Sequence, residues 1–172
     1  MRPAAIADYS RLLMDRNYLP DALQCARAIV YDIVSRCPCT FLDYGCGRGQ
    51  LVDWINSKTK GHATGWDPAR GGPRPTIEPD WIISCDVLEH IPEDDIPAVL
   101  DWMHEHARRG LLLTIANMSD VAKIDGEDVQ LHLIRQNMNW WTELMHDRWP
   151  GALIEARLIC ANGDRFAIIV EF

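Results

Sequence analysis

A chain of 172 residues, 48% of them hydrophobic, has the size and composition of one α/β domain with a full core. Its formal net charge of −8, from 25 acidic residues against 17 lysines and arginines, works against binding to phosphate backbones and anionic lipid surfaces. No run of about 18 apolar residues occurs and the first residues lack the apolar stretch of a secretion signal, so a soluble, cytoplasmic single domain over 1–172 is expected. The six cysteines are scattered, with only Cys37 and Cys39 close together, which fits reduced, buried thiols rather than a zinc ribbon or a disulfide framework.

In chain order, apolar residues recur at three- and four-residue spacing from Ala4 to Met14 and from Pro20 to Arg36, where Leu23, Ala26, Ile29, Val30 and Ile33 form one stripe. Residues 1–36 are therefore read as N-terminal helices ahead of a core over 40–172. Thr40-Phe41-Leu42-Asp43 runs into a glycine-rich turn as a buried parallel strand would, Leu51, Val52, Trp54 and Ile55 give a helical face, and Gly61 to Asp67 gives a second strand, completing a βαβ unit. Residues 68–79, with four prolines and two glycines, read as a loop.

A third strand, Trp81 to Cys85, leads through Asp86 to Pro92 into an amphipathic helix over 94–107 (Ile96, Val99, Leu100, Met103), and Gly110 to Ala116 is a fourth strand. The stretch from Asn117 to Asp128 is polar, and a helix carrying Trp140 and Trp141 ends before Pro150. Ala152–Ile159 and Phe166–Phe172 form an antiparallel hairpin across Ala161-Asn162-Gly163-Asp164. The expected fold is a doubly wound, mostly parallel sheet with an antiparallel C-terminal hairpin.

The chemistry starts at Asp43-Tyr44-Gly45-Cys46-Gly47-Arg48-Gly49. A nucleotide cofactor packed against the end of a parallel strand needs backbone without side chains, which Gly45, Gly47 and Gly49 provide. Eighteen residues after Gly49 a second strand ends in Asp67, placed to accept both hydroxyls of a ribose. A nicotinamide dinucleotide and S-adenosylmethionine both use this corner; the glycine spacing, one residue shorter than the dinucleotide pattern, and the acidic Asp43 at its start favour the second.

The segment Phe41 to Gly49 resembles the first motif of class I S-adenosylmethionine-dependent methyltransferases. Gly65-Trp66-Asp67, the segment Cys85-Asp86-Val87-Leu88-Glu89-His90-Ile91 and the closing hairpin are similar to the family in the same order, over about residues 20–172. The resemblance implies a Rossmann-like sheet with the cofactor across the ends of its first two strands, held by Asp43, Tyr44, Gly45, Cys46, Gly47, Gly49, Asp67, Pro68, Asp86 and Val87. One strand and helix of the family, between the second strand and the strand before Leu88-Glu89-His90, have no counterpart here; only the proline-rich loop fills that gap. The usual acidic contact to the adenine amino group is therefore unassigned.

Asp86, Glu89 and His90 fall where a strand becomes a helix, beside the reacting end of the cofactor in that layout, and His132 follows the fourth strand. Glu89, His90 and His132 are the candidate catalytic residues, with either histidine as general base. Two carboxylates and two imidazoles are also ligand types for a divalent metal ion, so Asp86, Glu89, His90 and His132 form a candidate metal set, similar to metal-dependent methyltransferases of small-RNA ends and of ubiquinone synthesis. The plain alternative is that Glu89 and His90 only hold the loop together.

The family layout puts the acceptor pocket near Asp125 to His132 and Trp140-Trp141, and Tyr9 and Tyr18 over the cofactor as a lid. The reading is a methyltransferase for the hydroxyl or amine of a polar small molecule, without membrane or nucleic-acid partners. The alternatives are metal-assisted 2′-O-methylation of an RNA end, a noncatalytic cofactor-binding subunit and a nicotinamide-dependent oxidoreductase.

Overall fold

The structure, a computed structural model, describes residues 1–14, 23–36, 38–159 and 163–172. Tyr18 and the Ala161-Asn162 part of the C-terminal turn lie outside the described residues. The chain opens with a two-residue strand, β1 (Arg2–Pro3), and helices α1 (Ile6–Met14) and α2 (Leu23–Arg36). The core then runs β2 (Thr40–Tyr44), α3 (Gln50–Lys58), β3 (His62–Trp66), β4 (Trp81–Cys85), α4 (Ile96–His106) and β5 (Gly110–Ala116). After β6 (Val121–Ile124) and β7 (Glu127–Gln130) come α5 (Met138–Arg148), β8 (Leu153–Leu158) and β9 (Arg165–Glu171).

The central sheet has the order β3-β2-β4-β5-β9-β8. Its first four strands are parallel, whereas β9 pairs antiparallel with β5 and β8 antiparallel with β9, as expected from the sequence. Alternation along the strands sorts side chains onto two faces. Leu42, Tyr44, Ile82, Leu111, Leu113 and Ile168 pack on α4 and α5 on one face; Phe41, Ile83, Leu112 and Ala167 pack on α2 and α3 on the other. With both faces covered, β5 is buried along its whole length, which explains its unbroken apolar run.

Chain order reverses between β2 and β4: β3 lies on one side of β2, and the chain then crosses to β4 on the other. In open α/β sheets the crevice outside the strand ends at such a reversal is where ligands bind. Between β3 and β4 there is no strand, only a 3₁₀ turn (Pro68–Arg70) in an irregular loop, so β3 is the edge of the sheet.

One feature departs from the sequence expectation. The polar stretch after β5 holds a hairpin, β6 and β7, joined at Asp125-Gly126 with φ values of +52° and +86°, and β1 adds parallel to β7 to complete a second, three-stranded sheet. Asp-Gly is the residue pair that a tight hairpin turn demands, but its flanks are too polar for a strand pattern to stand out. Ile124, Val129 and Leu131 of this segment pack on Ala4, Tyr9 and Leu12, so the small sheet is what seats α1 against the body. Arg2 and the buried Asp8 pair at 2.6 Å and lock β1 to α1; that pairing holds the Asp8 carboxyl well below its ordinary range. Among the described residues no helix is long and apolar enough to cross a membrane.

Candidate active site

The turn after β2 is built by backbone geometry. Gly45 has φ +79°, and a Cβ there would lie 2.7 Å from Val87 Cγ1, so glycine is required by close approach to Val87 and not by open space for a ligand. The Gly45 and Cys46 N–H groups both donate to the Trp66 carbonyl, at 2.8 and 3.2 Å, tying the turn to the end of β3. Asp67 completes the tie: Oδ2 accepts from the Gly47 N–H at 2.8 Å and Oδ1 from the Ala69 N–H at 2.7 Å. Asp67 thus caps the Pro68–Arg70 turn and also fixes its carboxylate at the strand tip. Gly49 stands one step away, before the first turn of α3.

A cavity of about 780 Å³ opens at these strand ends. Of the residues singled out in the sequence, Asp43, Tyr44, Gly45, Cys46, Gly47, Asp67, Pro68, Asp86, Val87, His90 and His132 line it; Gly49 and Glu89 do not. Trp140 and Trp141 also lie off the cavity: Trp141 is fully buried in the core with Trp140 packed beside it, so this pair belongs to the helix–sheet seam. Burial, reinforced by the charge of Asp67, pushes the Asp43 carboxyl up to about 7. Burial also pushes the Cys46 thiol up to about 11 and the Cys85 thiol well above its ordinary value, so both stay protonated and neither is a nucleophile.

At the other end of the cavity, Asp86 sits at φ +52°, accepts from Thr114 Oγ1 at 2.8 Å and pairs with Arg165 at 2.7 Å. The group whose ligand atoms converge, within 4.8 Å of one another, is Glu89, His90 and His132.

Glu89 and His90 are carried by a 3₁₀ turn, Leu88–His90, just beyond β4. Glu89 is fully buried; Oε1 accepts from the Ala116 N–H at 2.8 Å, and Oε2 has no hydrogen-bond partner among the described residues. Burial, with the nearby Asp86, holds its carboxyl well above the usual range. Its backbone carbonyl accepts from Leu133 at 2.7 Å and Ile134 at 3.0 Å, which brings the segment bearing His132 onto the turn bearing His90.

Both imidazoles are oriented by carbonyls. His90 Nδ1 lies 3.1 Å from the Leu131 carbonyl and His132 Nδ1 lies 2.7 Å from that of Met118. A carbonyl only accepts, so each Nδ1 carries the hydrogen and each Nε2 carries the lone pair when the ring is neutral. The rings meet edge to face with centroids 4.8 Å apart. Burial pushes His90 down to about 4, so it is neutral at physiological pH. Asp120 Oδ2 lies 3.7 Å from His132 Nε2.

Tyr9 of α1 reaches over this end: its hydroxyl donates to the Leu131 carbonyl at 2.7 Å and lies 3.2 Å from His90 Nδ1. Sequence reasoning missed Arg165 and Asp120, which reach the cavity from β9 and from the loop after β5, and no local pattern marks either one.

Residues 24–153 match the family model described as a methyltransferase domain. The chain belongs to the class I S-adenosylmethionine-dependent methyltransferases. No curated protein matches the sequence. Among solved structures, this methyltransferase is similar to the 1,6-didemethyltoxoflavin-N1-methyltransferase of Burkholderia thailandensis, with TM-score 0.59 and 12% identity over 99% of this chain and 91% of the other. It is also similar to DhpI in a SAM–HEP complex (TM-score 0.65, 10% identity, 94% of this chain and 93% of the other). The magnesium protoporphyrin IX methyltransferase of Synechocystis PCC 6803 follows at TM-score 0.54 and 14% identity, covering 95% and 93% of the two chains. At such identities the likeness is one of fold.

Proposed function

We propose that this methyltransferase places the methyl group of S-adenosylmethionine on a hydroxyl or amine of a polar small molecule, with His132 as the general base. The observation that carries this reading is one continuous cavity, bounded at one end by the glycine turn and Asp67 and at the other by two histidines that present Nε2 lone pairs.

The residues present fit the cofactor. The turn Asp43 to Gly47 and the fixed carboxylate of Asp67, with Pro68, would hold its nucleoside end, and Asp86 and Val87 would flank the reacting end. The cofactor, when bound, supplies an already activated methyl group. What remains for the protein is to hold the acceptor in line, keep water out and take a proton. His132 suits the last task, because a proton taken up at Nε2 would be held beside the Asp120 carboxylate 3.7 Å away. His90, kept neutral by burial, suits the orienting of the acceptor through its Nε2.

The net charge of −8 weighs against an RNA end as acceptor, and the similar structures named for a toxoflavin precursor and a porphyrin are consistent with a small molecule. The test is titration calorimetry with S-adenosylhomocysteine and with NAD, followed by turnover over a panel of hydroxylated and amino metabolites. His132→Ala is expected to keep its affinity for S-adenosylhomocysteine and to lose about 10²-fold or more in kcat. Full turnover in that variant would remove His132 from the reaction.

A second reading is favoured by one observation: Glu89 Oε2 is buried without a hydrogen-bond partner among the described residues, and Glu89, His90 and His132 bring ligand atoms within 4.8 Å of one another. Glu89, His90 and His132 would then hold a divalent metal ion, with each histidine oriented through its Nδ1–H by a backbone carbonyl, the usual support for such ligands. The ion would lower the pKa of an acceptor hydroxyl. Activity that survives exhaustive chelation and is unchanged by Mg²⁺ or Mn²⁺ would exclude it.

A further inference from the structure

At the end of the central sheet opposite β3 lies β8, which pairs with β9 on one side and, among the described residues, with no strand on the other. Such an edge is a template for another chain unless something blunts it. Leu153 and Leu158 are 59% and 58% exposed, and Glu155 and Arg157 stand exposed between them with no ion pair among the described residues. The Ile159 N–H donates to the Arg165 carbonyl at 3.1 Å, in register with the β8–β9 ladder. Positions in an antiparallel ladder alternate between facing the partner strand and facing away. Residues 153, 155, 157 and 159 therefore direct their N–H and C=O groups at β9, and Ile154, Ala156 and Leu158 direct theirs at the open edge.

Side chains alternate in the same rhythm. Ile154 and Ala156 pack on the core under α4 and α5, and Ile159 on the core under α2 and α3, so Leu153, Glu155 and Arg157 belong to that second face. A second copy adding antiparallel to this edge, about a two-fold axis normal to the sheet, keeps both faces continuous only if even positions meet even ones and odd meet odd. Centred on Ala156, this pairing sets Glu155 opposite Arg157, Ile154 opposite Leu158 and Leu153 opposite Ile159. The segment Leu153-Ile154-Glu155-Ala156-Arg157-Leu158-Ile159 is thus complementary to itself in charge and in hydropathy. The neighbouring permitted registers centre on Glu155 or Arg157 and set like charges against each other. The ion pairs fall at the non-hydrogen-bonded positions, where opposing Cα atoms approach to about 4.5 Å.

We propose that the free edge of β8 is a homodimer interface, in which two copies of this chain join antiparallel about Ala156 and extend the central sheet across the pair. Outward N–H and C=O groups of Ile154, Ala156 and Leu158 supply the ladder, each exposed leucine meets an isoleucine, and the Glu155–Arg157 pairs select the register. One strand per copy makes a small contact, so the dimer is reversible, with a Kd on the order of 10 µM.

The experiment is sedimentation velocity on the full chain from about 1 to about 200 µM, a range that brackets the expected Kd. Wild type should pass from monomer to dimer. Arg157→Glu and Glu155→Arg, each of which sets like charges opposite one another, should weaken the dimer by about tenfold or more. The double variant Glu155→Arg/Arg157→Glu should return to within about threefold of wild type, and an equimolar mixture of the two single variants should dimerise where neither does alone. Both side chains are exposed, and an unaltered Tm at low concentration shows that each variant keeps its fold. If a single variant lowers Tm, the double variant decides the matter. A wild type that stays monomeric throughout, a dimer that both single reversals leave unaltered, or a loss that neither the double variant nor the mixture restores would overturn the proposal.

Discussion

The glycine-turn side and the histidine side of the cavity are built in different ways. Around Gly45 and Asp67 the site is backbone: turn N–H groups and the Asp67 carboxylate connect to one another within a single βαβ unit, residues 40–70. Around His90 and His132 it is side chain: Glu89 and His90 follow β4, Met118 follows β5, His132 follows β7, Tyr9 comes from α1 and Arg165 from β9. A backbone site fails when its geometry is disturbed and then loses binding and stability together. A side-chain site can lose its chemistry while fold and cofactor affinity persist.

The sharpest break of that contrast pairs His132→Ala with Gly45→Ala. In the second, the new Cβ meets Val87 and the left-handed φ is retained, so stability should fall by about 2–5 kcal/mol, from about 1–2 for the backbone and about 1–3 for overpacking. Affinity for S-adenosylhomocysteine should fall with it, as thermal melts and calorimetry would show; an unaltered Tm would mean that the turn adapts.

A smaller effect concerns pH. The Asp43 carboxyl is raised from 3.8 to about 7 in the folded chain, so between those values the native state keeps a proton that the unfolded state has lost. Its contribution to stability is fully present below pH 3.8 and is lost as pH rises through about 7. Asp43→Asn should therefore raise the Tm of the ligand-free protein relative to wild type by an amount that grows over this range, while cofactor affinity drops. A pH-independent difference would contradict the burial argument.

On the histidine side, Glu89→Gln keeps an oxygen for the Ala116 N–H. Because burial raises the Glu89 carboxyl well above its ordinary range and so disfavours its charged form, Tm at pH 7 should stay level or rise. In the metal-free reading kcat should change by no more than about threefold. Loss of activity that excess Mn²⁺ restores would favour the metal reading. Tyr9→Phe removes one hydrogen bond to Leu131 and should cost about 1 kcal/mol of stability, read as a drop in Tm with cofactor affinity retained.

Legibility in the sequence follows the same division. The core strands, the antiparallel C-terminal pair and the glycine turn were readable, because each rests on neighbours in the chain: short apolar runs, Asn162-Gly163, and the spacing of Gly45, Gly47 and Gly49; the absent unit after β3 showed only against the family that the sequence resembles. The hairpin of β6 and β7 was not readable, since its strands are short and polar and only Asp125-Gly126 signals it. Nor was the partner of Asp86, which is Arg165, 79 positions away in the chain.

The sequence by itself determined the fold and the cofactor corner, because hydrophobic periodicity and turn chemistry act over a few residues and repeat in a recognisable order. Only the tertiary structure decided which polar groups meet. Which carboxylate meets an arginine and which histidine nitrogen carries its hydrogen depend on distances between segments that are remote along the chain.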